Sequence, residues 1–255
     1  MKLRFIDSGA AGPLPGALNM GIDEAVLGAV SRAESPPTLR LYRWSPPCVT
    51  VGYFQGLEAE VDLEACRAGG VDTVRRLTGG GAVFHESEIT YSLVVPLSHE
   101  LAPDGILASY RLICAGIVRG LAILGVESAF EPINDILSGG RKISGNAQTR
   151  RQGCLLQHGT VLLDLDVERM FTLLKVPAEK LKGKLIEDVK SRVTSLRMLL
   201  GREIPYEEAA AALRRGFAEA WGATLEDAPL TAAEAAEARR CAVERFSTPG
   251  WNGRR

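Results

Sequence analysis

The chain has 255 residues, of which 46% are apolar and 24% charged, with a net charge of −1. That is the make-up of an ordinary globular protein of one large domain. No basic field points to nucleic acid, and no apolar run in the sequence approaches the ~20 residues of a membrane span. The first seven residues lack the apolar stretch of a secretory leader, so the cytoplasm is the expected compartment. Cys48, Cys66, Cys114, Cys154 and Cys241 are odd in number, widely spaced and without a C-x-x-C pair. This argues against a disulfide framework and against a cysteine-based zinc site.

The elements follow in chain order. Residues 3–6 form a short apolar strand, and a Gly/Pro loop leads to a helix over 19–32. Residues 39–42 and 49–54 read as strands separated by Ser45-Pro46-Pro47. A helix over 58–68 closes at Gly69-Gly70, and residues 71–76 and 89–95 are strands. A long amphipathic helix spans 103–124, with Ile106, Tyr110, Ile113, Ile117, Leu121 and Leu124 at helical spacing. Ser138-Gly139-Gly140 between Ile136-Leu137 and Lys142-Ile143-Ser144 reads as a tight hairpin. One more strand covers 155–163, and short helices cover 167–174 and 178–185. Pro205 opens a helix to Trp221, and Thr231-Ala-Ala-Glu234 is a capping box for a final helix reaching Phe246. Strands and helices mix without steady β-α-β alternation. The fold class is therefore α+β, a mixed β-sheet flanked by helices.

Two stretches carry candidate chemistry. The first is Arg75-Arg76-Leu77-Thr78-Gly79-Gly80-Gly81-Ala82-Val83-Phe84-His85. Three consecutive glycines suit a backbone that turns sharply or presses against a ligand. Their N–H groups can cradle an anion. The order matches neither G-x-x-x-x-G-K-[ST] nor G-x-G-x-x-G, and a plain glycine-rich turn is the simpler reading. The second stretch gathers Asn134-Asp135-Ile136-Leu137, Lys142-Ile143-Ser144-Gly145-Asn146-Ala147 and Gln157-His158-Gly159-Thr160. A solvated surface lysine is the plain reading of Lys142. Against it stand Gly145, which permits close approach of a ligand, and Asn134-Asp135 across the hairpin. A lysine ammonium is a compact charge suited to a phosphate or a developing oxyanion.

R-R-x-T-G-G-G-A-V-F-H, N-D-I-L, G-R-K-I-S-G-N-A-Q and Q-H-G-T-V-L-L resemble the motifs of the lipoate–protein ligase A family, in the family's order. This family shares its catalytic domain with biotin ligases and includes octanoyltransferases. Val189-Lys190-Ser191-Arg192-Val193-Thr194-Ser195-Leu196 is similar to the ligase loop S-x-R-S-R-V-T-N-L that closes over the adenylate. The tail through Trp251-Asn252 is similar to the family's Y-S-x-x-x-W-N ending. The resemblance implies one biotin/lipoate ligase-like catalytic domain over 1–255, without a C-terminal accessory domain. It implies an ATP-dependent, AMP-forming ligase that activates lipoate to lipoyl-AMP with Mg²⁺. The lipoyl group then passes to a lysine of a lipoyl carrier domain of H-protein or E2-subunit type. A small accessory subunit is a further implied partner.

By motif, Lys142 is the implied catalytic residue, contacting the α-phosphate and the acyl carbonyl. Gly79, Gly80, Gly81, Ala82, Val83 and Phe84 line the acyl and phosphate path, flanked by Arg76 and His85. Asn134 and Asp135 approach the phosphates, with Asp135 toward the metal. Gly145, Asn146, Ala147, His158, Thr160 and Arg192 complete the nucleotide and lipoyl site.

The rival within the family is the octanoyltransferase, which uses no ATP. There a cysteine takes octanoate from acyl carrier protein as a thioester and passes it on. One branch keeps its cysteine just before the lysine loop, where residues 130–137 have none. The other keeps it in an N-P-C-G segment, matched here by Lys175-Val176-Pro177-Ala178. Cys154 corresponds to neither and reads as a buried strand residue. Biotin ligases carry G-R-G-R-x-G at the loop, which differs from this chain. A non-catalytic module that holds lipoyl domains is the remaining alternative. An intact Lys142 and the Arg192 loop argue against it.

Overall fold

The computed structural model describes residues 1–175 and 182–254. The first half contains β1 (Lys2–Asp7), α1 (Gly16–Ser31), β2 (Thr38–Tyr42), β3 (Cys48–Val51), α2 (Leu57–Glu60), α3 (Leu63–Ala68), β4 (Asp72–Arg75), β5 (Val83–His85), β6 (Glu88–Pro96) and α4 (Ile106–Ile123). The second contains β7 (Ala129–Glu131), β8 (Asp135–Ser138), β9 (Arg141–Arg151), β10 (Cys154–Leu162), α5 (Val167–Leu173), α6 (Lys182–Arg192), α7 (Leu196–Leu200), α8 (Tyr206–Trp221), β11 (Thr224–Asp227), α9 (Ala232–Cys241) and α10 (Pro249–Asn252).

Eight strands form one mixed sheet in the order β11-β1-β2-β6-β10-β9-β8-β7, and β4-β3-β5 form a second. β1 is parallel to β11 and β2, while β2, β6, β10 and β9 pair antiparallel. The α+β expectation holds. The large sheet is covered on both faces. On one, Ile113, Ile117 and Leu121 of α4 and Leu213 and Phe217 of α8 pack on Leu39, Tyr91, Leu93 and Leu155. On the other, Met20, Val26 and Leu27 of α1 and Ala238 and Cys241 of α9 pack on Tyr42, Val94 and Leu156. The small sheet has its own core, with Val49, Val51, Cys66 and Phe84.

Most elements lie where the periodicity puts them, and the differences have local causes. The helix expected over 58–68 is broken. Val61 is extended and bridges Leu174, while the Asp62 side chain caps α3 by accepting from the Glu64 and Ala65 N–H groups. α4 has an 18-residue window of mean hydropathy 1.6, long and apolar enough by composition to cross a membrane, contrary to the expectation that no run approaches that length. In the fold its apolar face is spent on α8 and the sheet. The helix expected to reach Phe246 ends at Cys241 and continues as a π-helical turn, Ala242–Phe246. Residues 178–181 of the expected helix over 178–185 lie outside the described residues. The strands β5, β7 and β11 are three or four residues long, too short to show a period.

The capping box is present, and Glu234 does more than cap. Both its oxygens take Arg4, at 2.8 and 2.6 Å, and one also takes Ser35 Oγ at 2.8 Å. Burial pushes the Glu234 carboxyl up. The Arg4, Thr231 N–H and Ser35 hydrogen bonds and the Arg4 charge outweigh burial and hold it at about 2, below its ordinary 4.5. A carboxyl depressed on folding contributes stability that is complete above its unfolded value and is lost as pH falls through the folded one. Glu234→Gln is therefore expected to flatten the acid limb. Its unfolding free energy should change less between about pH 5 and about pH 3 than that of the wild type. Equal acid slopes in the two proteins would contradict this.

Candidate active site

Strand alternation builds the site. Along β9 and β10, Ile143, Leu155 and Val161 face the α4–α8 core. Lys142, Gly145, Ala147, His158, Thr160 and Leu162 lie on the other face, with Ala147 opposite His158 and Gly145 opposite Thr160, while Asn146 turns its side chain back to the Tyr91 hydroxyl. That second face lines a cavity of about 300 Å³. The glycine loop supplies a further wall through Gly80, Gly81, Ala82, Val83, Phe84 and His85. Met20, Tyr42 and Trp44 line it too, as do Leu165, Met170, Val189 and Val193. The walls are mostly apolar, with a few polar groups among them, as in sites for small organic ligands.

Lys142 sits one residue into β9, just past the β8–β9 hairpin. Gly139 and Gly140 make that turn with φ of 54° and 74°, a conformation glycine adopts without strain. The Lys142 ammonium lies 2.7 Å from Asp135 Oδ1, with both side chains partly exposed. That contact is an ion pair, without the alignment of a hydrogen bond. Space for the folded-back lysine exists because residue 145 is glycine. A Cβ there would stand 2.8 Å from Lys142 Cε and 2.9 Å from Nζ. Gly145→Ala should thus displace the ammonium while sparing the backbone. The expected result is an unchanged melting temperature with turnover down on the order of 10²-fold. Unchanged turnover would show that the ammonium's position is immaterial.

The arginines before the loop face inward. Both terminal nitrogens of Arg76 hold the loop: Nη1 donates to Thr50 O and Oγ1, and Nη2 to Gly79 O and Gly81 O at 3.0 Å. Arg76 borders the cavity, yet burial alone pushes its guanidinium down to about 10. Thr50 Oγ1, which accepts from Arg76, is also hydrogen-bonded to His85 Nε2 at 2.8 Å, and His85 Nδ1 is hydrogen-bonded to Glu88. His85 also stacks on Trp44, centroids 4.1 Å apart. Arg75 reaches Gly52 O and Asn252 O, and Trp251 Nε1 donates back to Arg75 O. The Trp-Asn ending is thus a brace beneath the loop strand.

His158 ties the loop to a buried charged cluster. Asp23 can only accept, so His158 Nδ1–H donates to it at 3.3 Å and Nε2 accepts from Thr78 Oγ1 at 2.7 Å. Burial pushes the His158 pKa down, against the opposing pull of Asp23. Asp23 also takes Arg40, Ser92 and Tyr42.

Of the residues expected at the site, the cavity gathers Lys142, Arg76, Gly80, Gly81, Ala82, Val83, Phe84, His85, Asn134, Gly145, Asn146, Ala147, His158 and Thr160. Gly79 is off the wall and contributes its carbonyl to Arg76. Asp135, expected toward a metal, faces Lys142 instead. Among the described residues no group of three His, Cys, Asp or Glu could hold a metal ion. Arg192 is largely exposed, paired with Asp188 at 3.0 Å and absent from the wall. The same segment nonetheless reaches the site: Thr194 N–H donates to Lys142 O, and Val189 and Val193 line the cavity. Sequence reasoning missed Gly52. A Cβ on it would lie 2.0 Å from Gly80 O, so two backbones meet there. An isolated glycine at a strand end is the signal that could have found it. It also missed Asp23, Thr50 and Thr78, whose roles arise only from contacts distant in sequence.

The profile described as the lipoyl protein ligase A/B catalytic domain matches residues 15–218. The chain belongs to this family. Its relatives include octanoyltransferase LipM of Symbiobacterium thermophilum, 41% identical over 274 residues, covering 99% of this chain and 98% of that protein. Octanoyltransferase LipM of Bacillus subtilis is 34% identical over 275 residues, with 99% and 98% coverage. Among solved structures, a bi-partite lipoate protein ligase from Thermoplasma acidophilum matches with TM-score 0.88 and 30% identity, covering 99% of this chain and 96% of that one. A lipoate-protein ligase A bound with ATP matches with TM-score 0.82 and 29% identity, covering 99% and 98%.

These findings correct the functional expectation. An AMP-forming ligase with ATP, Mg²⁺ and lipoyl-AMP does not stand, because the relatives that span nearly the whole chain are octanoyltransferases. The motifs misled for a chemical reason. The ligase and transferase readings share a final step, in which a carrier lysine attacks an acyl carbonyl, so motifs that suit this step do not separate the two.

Proposed function

We propose that the chain is an octanoyltransferase, moving octanoate from its thioester on an acyl carrier protein to a lysine amine of a lipoyl domain. The observation that carries this reading is the 41% identity to an octanoyltransferase over 99% of the chain. The site agrees with it chemically. A mostly apolar cavity of about 300 Å³ suits an eight-carbon chain, and the ammonium of Lys142 lies on its wall. In this reading Lys142 faces the carbonyl oxygen as charge develops on it, while Asp135 and Gly145 keep the ammonium in place. Arg76, His85 and His158 act on the loop, which holds the acyl chain against Trp44 and Tyr42.

The acceptor is a lipoyl domain of H-protein or E2-subunit type. This draws on the Thermoplasma ligase, described together with its E2 lipoyl domain. A small accessory subunit, implied by the resemblance to short ligases, forms no part of this reading. The test is incubation of the purified chain with octanoyl-carrier protein and a lipoyl domain. Octanoylation of the domain's lysine is the expected result, and an unmodified domain would refute the reading.

A further inference from the structure

We propose that this chain passes the acyl group directly from the donor thioester to the acceptor amine, with no acyl-enzyme on cysteine. The inference rests on the octanoyl-transfer reading and concerns the course of that same reaction.

A relay through the enzyme needs a sulfur that reaches the carbonyl as thiolate. All five cysteines belong to the described residues, all are buried, and none is on the cavity wall. Cys66 lies on α3 in the core of the small sheet. Cys114 lies on α4 in the main core, 3.8 Å from Gln157 Nε2. Cys241 ends α9, its sulfur toward Glu237. Cys154 opens β10, opposite Pro96 and four residues before His158, roughly 13 Å along the strand. Cys48 is opposite His85, but its sulfur is aimed at α1: a Cβ on Gly16 would stand 2.6 Å from it. Burial pushes Cys66 up to about 11 and Cys114 and Cys241 up to about 12. It raises Cys48 and Cys154 as well. Each of the five is therefore both out of reach and poorly ionised.

The cavity wall offers a cation in their place. Lys142 stands beside Asn134 and Gly145, partly exposed, where two docked carriers can bring thioester and amine together. The acceptor nitrogen attacks the thioester carbon and the C–N bond forms. The oxygen carries the charge of the tetrahedral intermediate against the Lys142 ammonium. Its collapse breaks the C–S bond, and the proton shed by the attacking nitrogen ends on the departing sulfur. Thioester and amine become amide and thiol, with nothing else consumed. Both carriers must be bound at once, so initial-rate plots intersect, whereas a covalent relay gives the parallel lines of ping-pong kinetics.

The experiment is intact-mass analysis of the wild-type chain incubated with octanoyl-carrier protein alone, beside initial rates with both substrates varied. The expected outcome is no octanoyl adduct, no thiol release until the lipoyl domain is added, and intersecting lines. Cys48→Ala and Cys154→Ala, measured separately, should transfer at close to the wild-type rate. An octanoyl adduct mapped to any residue, parallel lines, or a dead single-cysteine variant that folds would overturn the inference and leave octanoyl transfer standing. A lipoyl domain left unmodified by the wild type would overturn both.

Discussion

Lys142→Ala is expected to slow octanoyl transfer by roughly 10²–10³-fold, the usual cost of removing one stabilising contact to a developing oxyanion. The fold should not notice. Lys142 is partly exposed, its one ion pair among the described residues is with Asp135, and such pairs contribute about 0–1 kcal/mol. Lys142→Arg should recover little, because a planar fork cannot fill the place of a compact charge. That place is only as large as Gly145 leaves it. The decisive readout is a split between turnover and melting temperature. Transfer within a few-fold of wild type in folded Lys142→Ala would remove this residue from the chemistry.

The largest expected effect on stability lies beneath the cavity. Asp23 is 2% exposed and Arg40 1%, and they pair at 3.1 Å. Burial pushes the Asp23 carboxyl up, but His158, Arg40 and Ser92 together hold it below its ordinary value. Asp23→Ala leaves Arg40 as a buried charge with only Ser8 and Asn19 as hydrogen-bond partners. Stranding one member of a buried pair costs about 3–5 kcal/mol. The same substitution removes the Asp23 partner of His158, which holds Thr78 at the start of the glycine loop. Denaturant unfolding should therefore show the loss in stability, and the loop should become more open to proteolysis. A destabilisation below about 1 kcal/mol would mean that the cluster relaxes without Asp23.

How much the sequence disclosed depended on the range of the signal. The β8–β9 hairpin was legible from Ser138-Gly139-Gly140, and the start of α9 from Thr231 and Glu234, because turn and cap chemistry is local. The cavity-lining face of β10 followed from alternation once the strand was placed, while an irregularity in the β8–β9 register interrupts the alternation on β9. The Arg40–Asp23 and Arg76–Thr50 contacts join residues 17 and 26 positions apart, and no periodicity announces them. The contacts of Arg75 and Arg76 were illegible for a related reason, although Arg76 does border the cavity. Arginines beside a glycine loop look like anion ligands until their hydrogen bonds are traced to the loop's own backbone.

The reaction class was the least legible feature. An amine attacks an acyl carbonyl in the ligase and the transferase reading alike, whatever group leaves that carbonyl, so the motifs alone do not separate the two. Residues 130–137, where one octanoyltransferase branch keeps its cysteine, contain none, which favoured the ligase reading. The burial of all five thiols turns that same absence into a statement about how the acyl group travels.

One measurement bears most directly on octanoyl transfer. A single preparation of the chain is given a lipoyl domain and either octanoyl-carrier protein without ATP, or free octanoate with ATP and Mg²⁺. The mass of the domain is then followed over time. Rapid octanoylation from the carrier thioester alone is the expected result. Modification only in the tube that holds ATP would contradict the account.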